Sequence, residues 1–352
     1  MSGARFVDAD RLMTLATRAF VAVGVNEEHA RLTSAILVEG DMMGLGTHGV
    51  LRIPSYTERL RNRGMNPEAV ISVDRRAPSL ALVNGDNGLG PAAGSIALNA
   101  ALEMVTETGI AYIGCSASNH FGALAPYGLK ACEAGYVMIS GTNASTTMAP
   151  FGGKEARIGN NPFGVAAPIP GGMHFILDMA VSVAARGKIR MAAEEGTAIP
   201  ESWAVDKNGL LTTDPTEALA GFLLPVGGHK GSGMSMAIDI LSGVITGGKF
   251  LTGIRSWTAD PDARSDIGHF FILIDPARLV GRDTFDAAMT EFRDIVQSTP
   301  AATPSAPVML PGQREQERRA QAMEKGISIP EKLLAQIESL TDGKMPARKR
   351  DK

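Results

Sequence analysis

The spacing of apolar residues changes twice along this chain of 352 residues. Near the N-terminus, Leu12, Leu15, Ala16, Ala19 and Phe20 repeat at the spacing of one helix face. Short continuous apolar runs replace this pattern in the middle of the chain, and helical spacing returns near the C-terminus. Because each type of element must bury its apolar face against others of its layer, this order predicts a helical domain built from both chain ends, with a mixed α/β domain inserted between them.

Three successive helices are predicted near the N-terminus. Side-chain oxygens before their first turns can accept hydrogen bonds from free backbone N–H groups, and the predicted N-caps are Asp8 or Asp10, Asn26 and Thr47. Two more helices are predicted near the C-terminus, over residues 285–298 and 331–340.

The middle of the chain supplies the strands. Six short apolar runs are predicted strands, over residues 80–83, 110–115, 137–140, 165–168, 175–179 and 270–274. Two helices are predicted among them, over residues 93–108 and 234–246. The expected fold class is therefore mixed α/β, with a helical domain of residues 1–75 and 285–352 and an α/β domain of residues 76–284.

Composition argues against several classes of protein. A net charge of −3 at pH 7 leaves no basic excess for binding nucleic acid. No stretch approaches the ~20 apolar residues of a membrane span, and residues 1–5 do not begin a signal peptide. Cys115 and Cys132 form neither a disulfide framework nor a metal-binding motif. We therefore expect a globular cytoplasmic protein without a nucleic acid or membrane partner.

Two glycine-rich segments resemble nucleotide-binding motifs without matching their context. Residues 44–49 read GLGTHG, which fits G-x-G-x-x-G, but they follow a helical segment where the Rossmann fingerprint requires a strand. Residues 227–233 read GGHKGSG and lack the spacing of a Walker A loop. These patterns argue against both a standard Rossmann site and a P-loop.

The chain has six histidines, and none is spaced as a helical zinc-binding pair, so no metal site is expected. The Gly-Ser-Gly at residues 231–233 is too short for the nucleophile elbow of a hydrolase. A lone histidine is usually structural. Here, however, His48, His120 and His229 all occur in polar, glycine-bearing turns, and this repetition weakens the structural interpretation.

His48 has a possible partner, because Arg52 follows it by four residues and would share one face of the predicted third helix. Reduction of a 2-oxo acid requires both side chains. An arginine can hold the carboxylate through two parallel hydrogen bonds, while an imidazolium can protonate the carbonyl oxygen as hydride arrives. Taken alone, Arg52 would also suit an exposed helix surface.

Several long segments, in fixed order and almost end to end, resemble the malate/L-lactate dehydrogenase family of non-Rossmann NAD(P)-dependent oxidoreductases. This family includes ureidoglycolate, sulfolactate and diketogulonate dehydrogenases and the piperideine-carboxylate reductases. The matching segments are residues 41–44, 47–56, 118–122, 142–145, 148–153, 158–162, 177–180, 185–188 and 227–231.

The resemblance implies a homodimer whose active site lies in a cleft between a helical domain and an unusual α/β cofactor domain, completed by the partner chain. It implies that His48 is the proton donor or acceptor with Thr47 as its support, and that Arg52 binds the substrate carboxylate. His120 matches a position with catalytic or cofactor-binding roles. The other implied cofactor-binding residues are Gly122, Ser145, Asp178, Met179, Ala180, His229, Lys230, Gln313 and Arg314.

Two positions bear on substrate and cofactor. Lys188 matches the hydroxy-acid enzymes, whereas the cyclic-imine reductases carry Asp there. Gln313 replaces a glutamate that is common in the family, so no carboxylate at this position repels the 2′-phosphate of NADP. We therefore expect NADPH to be at least tolerated, and the choice between NAD and NADP stays open.

The expected function is an NAD(P)-dependent oxidoreductase that interconverts a small 2-hydroxy acid and its 2-oxo acid, such as malate, lactate or sulfolactate. One alternative is a cyclic imino-acid reductase acting on piperideine- or pyrroline-2-carboxylate. Another is a catalytically silent scaffold that binds such a ligand.

Overall fold

A computed structural model of the chain describes residues 3–303 and 307–341. Met1, Ser2 and the last eleven residues of the predicted helical domain, 342–352, lie outside the described residues. The helices are α1 (Ala9–Val21), α2 (Glu27–Met42), α3 (Ile53–Arg61), α4 (Gly90–Thr108), α5 (Ala125–Glu133), α6 (Arg186–Glu195), α7 (Pro215–Ala220), α8 (His229–Asp239), α9 (Pro276–Val280), α10 (Arg282–Gln297), α11 (Gln313–Lys325) and α12 (Glu331–Thr341).

The strands form three sheets. They are β1 (Ala4–Val7), β2 (Ser72–Ala77), β3 (Leu80–Asn84), β4 (Ile110–Ser118), β5 (Val137–Thr142), β6 (Thr146–Met148), β7 (Ile158–Gly159), β8 (Phe163–Ala167), β9 (Phe175–Met179), β10 (Ala204–Val205), β11 (Phe222–Leu223), β12 (Ile267–Ile274) and β13 (Ile327–Pro330).

The largest sheet has seven strands in the order β2-β3-β4-β12-β5-β8-β9. Only β3 and β4 pair in parallel, and the other neighbours are antiparallel. The central strand β12 is an almost continuous apolar run, as expected for a strand covered on both faces. Helices α4 and α5 pack against this sheet. The predicted mixed α/β class is confirmed, and the sheet is unlike the parallel sheet of a Rossmann domain.

Both ends of the chain contribute to one helical core. Strands β1 and β13 pair antiparallel, with Val7 opposite Ile327. Around this pair, α1, α2, α3 and α12 bury a cluster that includes Leu12, Phe20, Leu37, Leu60 and Ile337. The N-terminal and C-terminal segments are therefore held together by shared apolar burial.

Helix α10 contacts the α/β part of the chain. Phe292 packs against Phe175 of β9 with ring centroids 6.4 Å apart, and Arg282 Nη2 donates to the carbonyl of Gly135. The domain boundaries near residues 75 and 284 stay a prediction.

A smaller sheet, in the order β10-β11-β6-β7, lies beside α6, α7 and α8. Its apolar core includes Met148, Ile158, Val181, Ile189 and Leu223. After α8 the chain makes one π-helical turn, Ile240–Val244.

The six predicted strands are confirmed as β3, β4, β5, β8, β9 and β12. The predicted third helix was wrong at its start. Thr47 caps no helix, because the chain makes two 3₁₀ turns, Gly46–His48 and Val50–Arg52, before α3 begins at Ile53. His48 and Arg52 therefore do not share a helix face.

Within residues 3–303 and 307–341, no helix is long and apolar enough to cross a membrane. Cys115 and Cys132 are both buried with free thiols.

Candidate active site

Asp41, near the end of α2, holds the turn that carries His48 in place. Asp41 Oδ2 accepts a hydrogen bond of 2.7 Å from the backbone N–H of Val50. The carboxylate also lies against Gly49, where a Cβ atom would come within 2.2 Å of it. Since only glycine leaves this space, Asp41 and Gly49 together determine the path of the chain between His48 and Arg52.

His48 has one ring nitrogen held and one free. Its Nδ1 lies 3.0 Å from Thr47 Oγ1. Its Nε2 has no hydrogen-bond partner among the described residues. Burial, reinforced by the positive charge of Arg52, lowers the pKa of His48 to about 4. The imidazole is therefore neutral at pH 7 in the free protein and can accept a proton at Nε2.

His120 lies in the loop after β4, and its ring stacks on that of His48. The ring centroids are 5.4 Å apart and the planes differ by 25°. The hydroxyl of Tyr56, on α3, lies 2.5 Å from His120 Nδ1 and 3.1 Å from the His120 carbonyl. Burial lowers the pKa of His120 well below its usual value, and the positive charges of neighbouring groups lower it further. Tyr56 therefore fixes the orientation of a second neutral imidazole.

The guanidinium of Arg52 is unpaired. Across the described residues it has no hydrogen bond or ion pair, and its buried Nε lacks a partner. Its Cζ lies 5.1 Å from the ring centroid of Trp257. Burial lowers the pKa of Arg52, and the charge of Arg190 on α6 also lowers it. A half-buried arginine without an anionic partner is a ready binding site for a carboxylate.

The structure thus brings four predicted residues together, namely His48, Thr47, Arg52 and His120. Gly122 lies beside them, where a Cβ atom would be 3.8 Å from the carbonyl of His48. Its φ of +88° also favours glycine.

The sequence alone predicted no role for Tyr56 or Trp257. Tyr56 follows Arg52 by four residues, so its spacing could have suggested it. Trp257 lies some two hundred residues away from Arg52 along the chain, and no spacing could have linked the two.

Asp178 belongs to β9, and its carboxylate lies at the first turn of α5. Its Oδ2 accepts hydrogen bonds from the backbone N–H groups of Leu124 at 2.8 Å and Ala125 at 3.0 Å. Burial raises the pKa of Asp178, and the nearby carboxylate of Glu315 also raises it. Met179 and Ala180 follow Asp178 and are half-buried.

Asp178 also lines a cavity of about 230 Å³ between β9 and the loop before α11. The loop is attached to β9, because Ile176 N–H donates to the carbonyl of Pro311. A Cβ atom at Gly312 would come within 2.7 Å of Ile176. The cavity lining comprises Leu45, Ala125, residues 176–178, Pro311, Gly312 and Glu315.

The side chains of Gln313 and Arg314 do not line this cavity. Gln313 bonds with Gln297 and Glu317 instead, and its Oε1 also accepts from Leu310 N–H. Arg314 Nε donates to Met309 Sδ. The carboxylate near Asp178 comes from Glu315, which sequence analysis did not single out.

His229 and Lys230 are the first residues of α8 and are exposed. Gly227 and Gly228, with φ of +60° and +62°, turn the chain into this helix. The ring of His229 lies 5.7 Å from that of Phe151. Ser145 is half-buried in the turn between β5 and β6. The N-terminus of α8 carries a partial positive charge that suits an anionic group.

Comparison with known proteins identifies the family. The family model described as malate/L-lactate dehydrogenase matches residues 7–338. The chain belongs to the malate/L-lactate dehydrogenase family. Malate/(S)-sulfolactate dehydrogenase of Methanothermus fervidus is 34% identical over 322 residues, which cover 91% of this chain and 93% of that protein.

Two further relatives show the range of the family. Delta(1)-pyrroline-2-carboxylate reductase 2 of Burkholderia multivorans is 33% identical, with 95% of this chain and 96% of that protein covered. The solved structure of sulfolactate dehydrogenase from Methanocaldococcus jannaschii has a TM-score of 0.88 at 33% identity, covering 96% of this chain and 97% of that one. The resemblance and the expected NAD(P)-dependent dehydrogenase class are confirmed.

The role of Asp41 can be tested by substitution. Asp41→Ala removes the acceptor of the Val50 N–H and should lower kcat/KM about tenfold or more, since leaving a buried N–H unsatisfied costs about 1–3 kcal/mol. Asp41→Asn keeps an acceptor oxygen and should retain most of the activity. Steady-state kinetics gives kcat/KM for both variants. An equal loss of kcat/KM in the two would contradict the role of Asp41 as the hydrogen-bond acceptor for Val50.

The pH dependence of stability gives a second readout. Burial raises the pKa of Asp41 to about 7. The stability that this group contributes is therefore present below its unfolded pKa near 4 and is lost as the pH rises toward 7. Relative to Asp41→Asn, the free energy of unfolding of the parent should fall by up to ~1.4 kcal/mol per pH unit across this range. Parallel curves for the two proteins would contradict the raised pKa.

Proposed function

We propose that this enzyme interconverts a small 2-oxo acid and its 2-hydroxy acid. The observation that carries the proposal is the unpaired guanidinium of Arg52 beside the stacked imidazoles of His48 and His120. A 2-oxo acid offers a carboxylate for the first group and an adjacent carbonyl oxygen for the second.

Arg52 binds the substrate carboxylate through its in-plane N–H groups. The Cζ of Arg52 lies 5.1 Å from the centroid of the Trp257 ring, and such a cation–π contact occupies none of the guanidinium N–H groups. Two parallel N–H···O hydrogen bonds then fix both the position and the orientation of the carboxylate. Such positioning holds the neighbouring carbonyl carbon in a reactive geometry.

His48 exchanges the proton through its free Nε2. In the oxidation direction the neutral imidazole accepts the hydroxyl proton of the 2-hydroxy acid. In the reduction direction, the substrate carboxylate offsets the charge of Arg52, which raises the pKa of His48 toward the working pH and lets it carry the proton. The hydroxyl of Thr47 stays hydrogen-bonded to Nδ1 of His48 during this exchange. A bound reduced nicotinamide supplies the hydride.

Two places in the chain suit a nicotinamide dinucleotide. The N-terminus of α8, with His229 and Lys230, suits its phosphates. The cavity lined by Asp178 and Gly312, with Met179 and Ala180 next to Asp178 in the chain, suits a ribose.

The groups at this cavity bear on the choice of cofactor. The carboxylates of Asp178 and Glu315 lie there and favour a 2′-hydroxyl over a 2′-phosphate. Arg319 is paired with Glu39, and Arg318 lies over Gly44, so neither supplies the cavity with a free cation. We infer that NADH serves better than NADPH, because both carboxylates would repel a 2′-phosphate.

The substrate class follows from the charges around Arg52. Arg190 lies close enough to lower the pKa of Arg52, and Lys188, two residues earlier in α6, is exposed. A second cation suits a substrate with a second anionic group. Malate and sulfolactate, the substrates named for relatives, both have one. We therefore propose a 2-hydroxy acid with a carboxylate or sulfonate at its far end.

A cyclic imino-acid reductase is the second candidate, because a relative of that name matches at similar identity. Lys188 favours the hydroxy-acid enzymes. Loss of reduced-nicotinamide absorbance with oxaloacetate, sulfopyruvate, pyruvate, pyrroline-2-carboxylate and piperideine-2-carboxylate, each with NADH and NADPH, decides between them. Turnover of the imines alone would contradict the main proposal.

We also propose a homodimer. Met236, Ile240 and Val244 recur at helical spacing on one exposed face of α8 and its π-helical extension, beside exposed Ile245 and Phe250. Ile240 is 50% and Val244 48% exposed. A contiguous exposed apolar face of this kind is typical of a protein–protein interface.

The roles of the two histidines are separable. His48→Ala should lower kcat by roughly 10²–10⁴, because the proton exchange is lost, while cofactor affinity changes little. His120→Ala should affect cofactor affinity more strongly. Single-turnover kinetics and cofactor titration measure the two effects. The two roles would be reversed if His48→Ala lowered kcat only slightly while His120→Ala was inactive and bound the cofactor with normal affinity.

Arg52 should act mainly on substrate binding. Arg52→Ala should raise KM for the 2-oxo acid, because the carboxylate is held in the ground state and the transition state alike. Arg52→Lys should rescue only part of the loss, since a point charge cannot reproduce the planar fork. Steady-state kinetics of both variants tests this, and an Arg52→Lys enzyme equal to the parent would rule out the two-bond geometry.

If the protein is a dimer through this face, a charge placed in the face should halve its mass in solution. Light scattering should give the parent twice the mass of one chain, and Ile240→Glu should give a monomer because it places a charge in the apolar interface. Ile295→Glu is the matched control, since Ile295 is also exposed but lies on α10. A monomeric parent, or a dimeric Ile240→Glu, would contradict this interface.

A further inference from the structure

One indole touches three parts of the proposed substrate site. The ring of Trp257 lies 5.1 Å from that of His120 and 6.3 Å from that of Tyr56, by their centroids. The guanidinium carbon of Arg52 lies 5.1 Å from the centroid of the same ring. Trp257 is half-buried, so one part of the indole packs inward while another stays accessible. The carboxylate-binding cation and an imidazole are therefore set against a common surface.

The segment of residues 255–266 that carries Trp257 is tied down at several points. Arg59 of α3, which is buried, donates to Ser265 Oγ at 3.1 Å and to the carbonyl of Ala263 at 3.0 Å. Asn62 Nδ2 donates to Asp262 Oδ1 at 2.8 Å. These bonds hold the Trp257 segment against the helix that follows Arg52.

The same arginine also reaches the loop of His120. Arg59 Nη2 lies 3.1 Å from Asn119 Oδ1, and Asn119 immediately precedes His120. Asn119 is itself fixed, because its Nδ2 donates to the carbonyl of Gly88 at 2.8 Å. The positions of Trp257 and His120 are therefore coupled through one buried side chain.

An indole solves a specific problem at this site. Arg52 must be held in one plane, but an Asp or Glu partner would compete with the substrate carboxylate for its N–H groups. An aromatic face holds a guanidinium by a cation–π contact and uses none of those N–H groups. Trp257 is the aromatic residue against which Arg52 packs.

We propose that Trp257 is the positioning residue for Arg52 and forms one wall of the site in which Arg52 binds the substrate carboxylate. The inference rests on the proposed carboxylate contact of Arg52. Two effects are expected from this role of the indole. Binding of a small carboxylate changes the surroundings of the Trp257 ring, and removal of the ring weakens substrate binding more than cofactor binding.

Tryptophan fluorescence tests the first consequence without turnover. The chain has two tryptophans, and Trp203 lies at the smaller sheet. Trp203→Phe therefore leaves Trp257 as the reporter, and Trp257→Phe leaves Trp203 as the matched control. Titration with oxamate, an unreactive analogue of a 2-oxo acid, should change the emission of Trp203→Phe saturably and leave that of Trp257→Phe unchanged. Adding Arg52→Ala to the Trp203→Phe background should abolish the response.

Kinetics tests the second consequence. Trp257→Ala should raise KM for the 2-oxo acid by roughly 3- to 30-fold, the range that a cation–π contact supports, with KM for the nicotinamide cofactor unchanged. Trp257→Phe keeps a smaller aromatic face and should fall between Trp257→Ala and the parent. Thermal unfolding of each variant shows whether the Trp257 segment is still docked, since a loss of fold would raise both KM values together.

Two results would overturn the proposal. One is an unchanged emission of Trp203→Phe at oxamate concentrations that inhibit the enzyme. The other is a Trp257→Ala variant with the parental KM for its acid. A different result would count against the substrate class alone. If pyrroline-2-carboxylate shifts the Trp257 emission and oxamate neither binds nor inhibits, then the 2-oxo acid proposal fails while the role of Trp257 stands.

Discussion

The buried guanidinium of Arg59 joins the three segments on which the active site is built. It bonds to Asn119 beside His120, to Ala263 and Ser265 in the Trp257 segment, and to the turn after its own helix. Burying an arginine is costly unless hydrogen bonds satisfy it, so these partners cannot move apart without a large penalty. Asn119 precedes His120, and Ala263 and Ser265 belong to the Trp257 segment, so Arg59 connects both to the helix that follows Arg52.

Electrostatics gives the assembled site its chemical character. Burial lowers the pKa values of His48, His120 and Arg52. The charge of Arg52 lowers the pKa of both imidazoles further, and the charge of Arg190 does the same to Arg52. The imidazoles stay neutral, whereas the guanidinium keeps its charge and has no acidic partner in the part of the chain that the structure describes. An incoming carboxylate relieves the repulsion and raises the proton affinity of His48. Substrate binding and the readiness to transfer a proton are therefore linked through one charge.

The sequence predicted the apolar strands and the residues of local motifs better than it predicted the contacts between them. Continuous apolar runs predicted β9 to the residue and β3 to within one residue, whereas β4 and β12 each extend three residues beyond the predicted run. Helical spacing did not describe residues 46–52, because the contact of Asp41 with Gly49 and Val50 imposes 3₁₀ turns there. Trp257 and Glu315 reach their sites through tertiary packing, which leaves no trace in spacing. The side chain of Gln313, singled out from the sequence, bonds outside the cavity that Glu315 lines.

The most direct test of the linked charge is an NMR titration of His48 with and without oxamate. Labelling the histidine Cε1 carbons makes the rings visible, and His48→Gln assigns the signal. We expect the pKa of His48 in the free enzyme to be about 4, so that the ring is neutral at any pH well above this value. Saturating oxamate should raise this pKa, because its carboxylate offsets the charge of Arg52. An ordinary histidine pKa in the free enzyme, or one that bound oxamate leaves unchanged, would contradict the account.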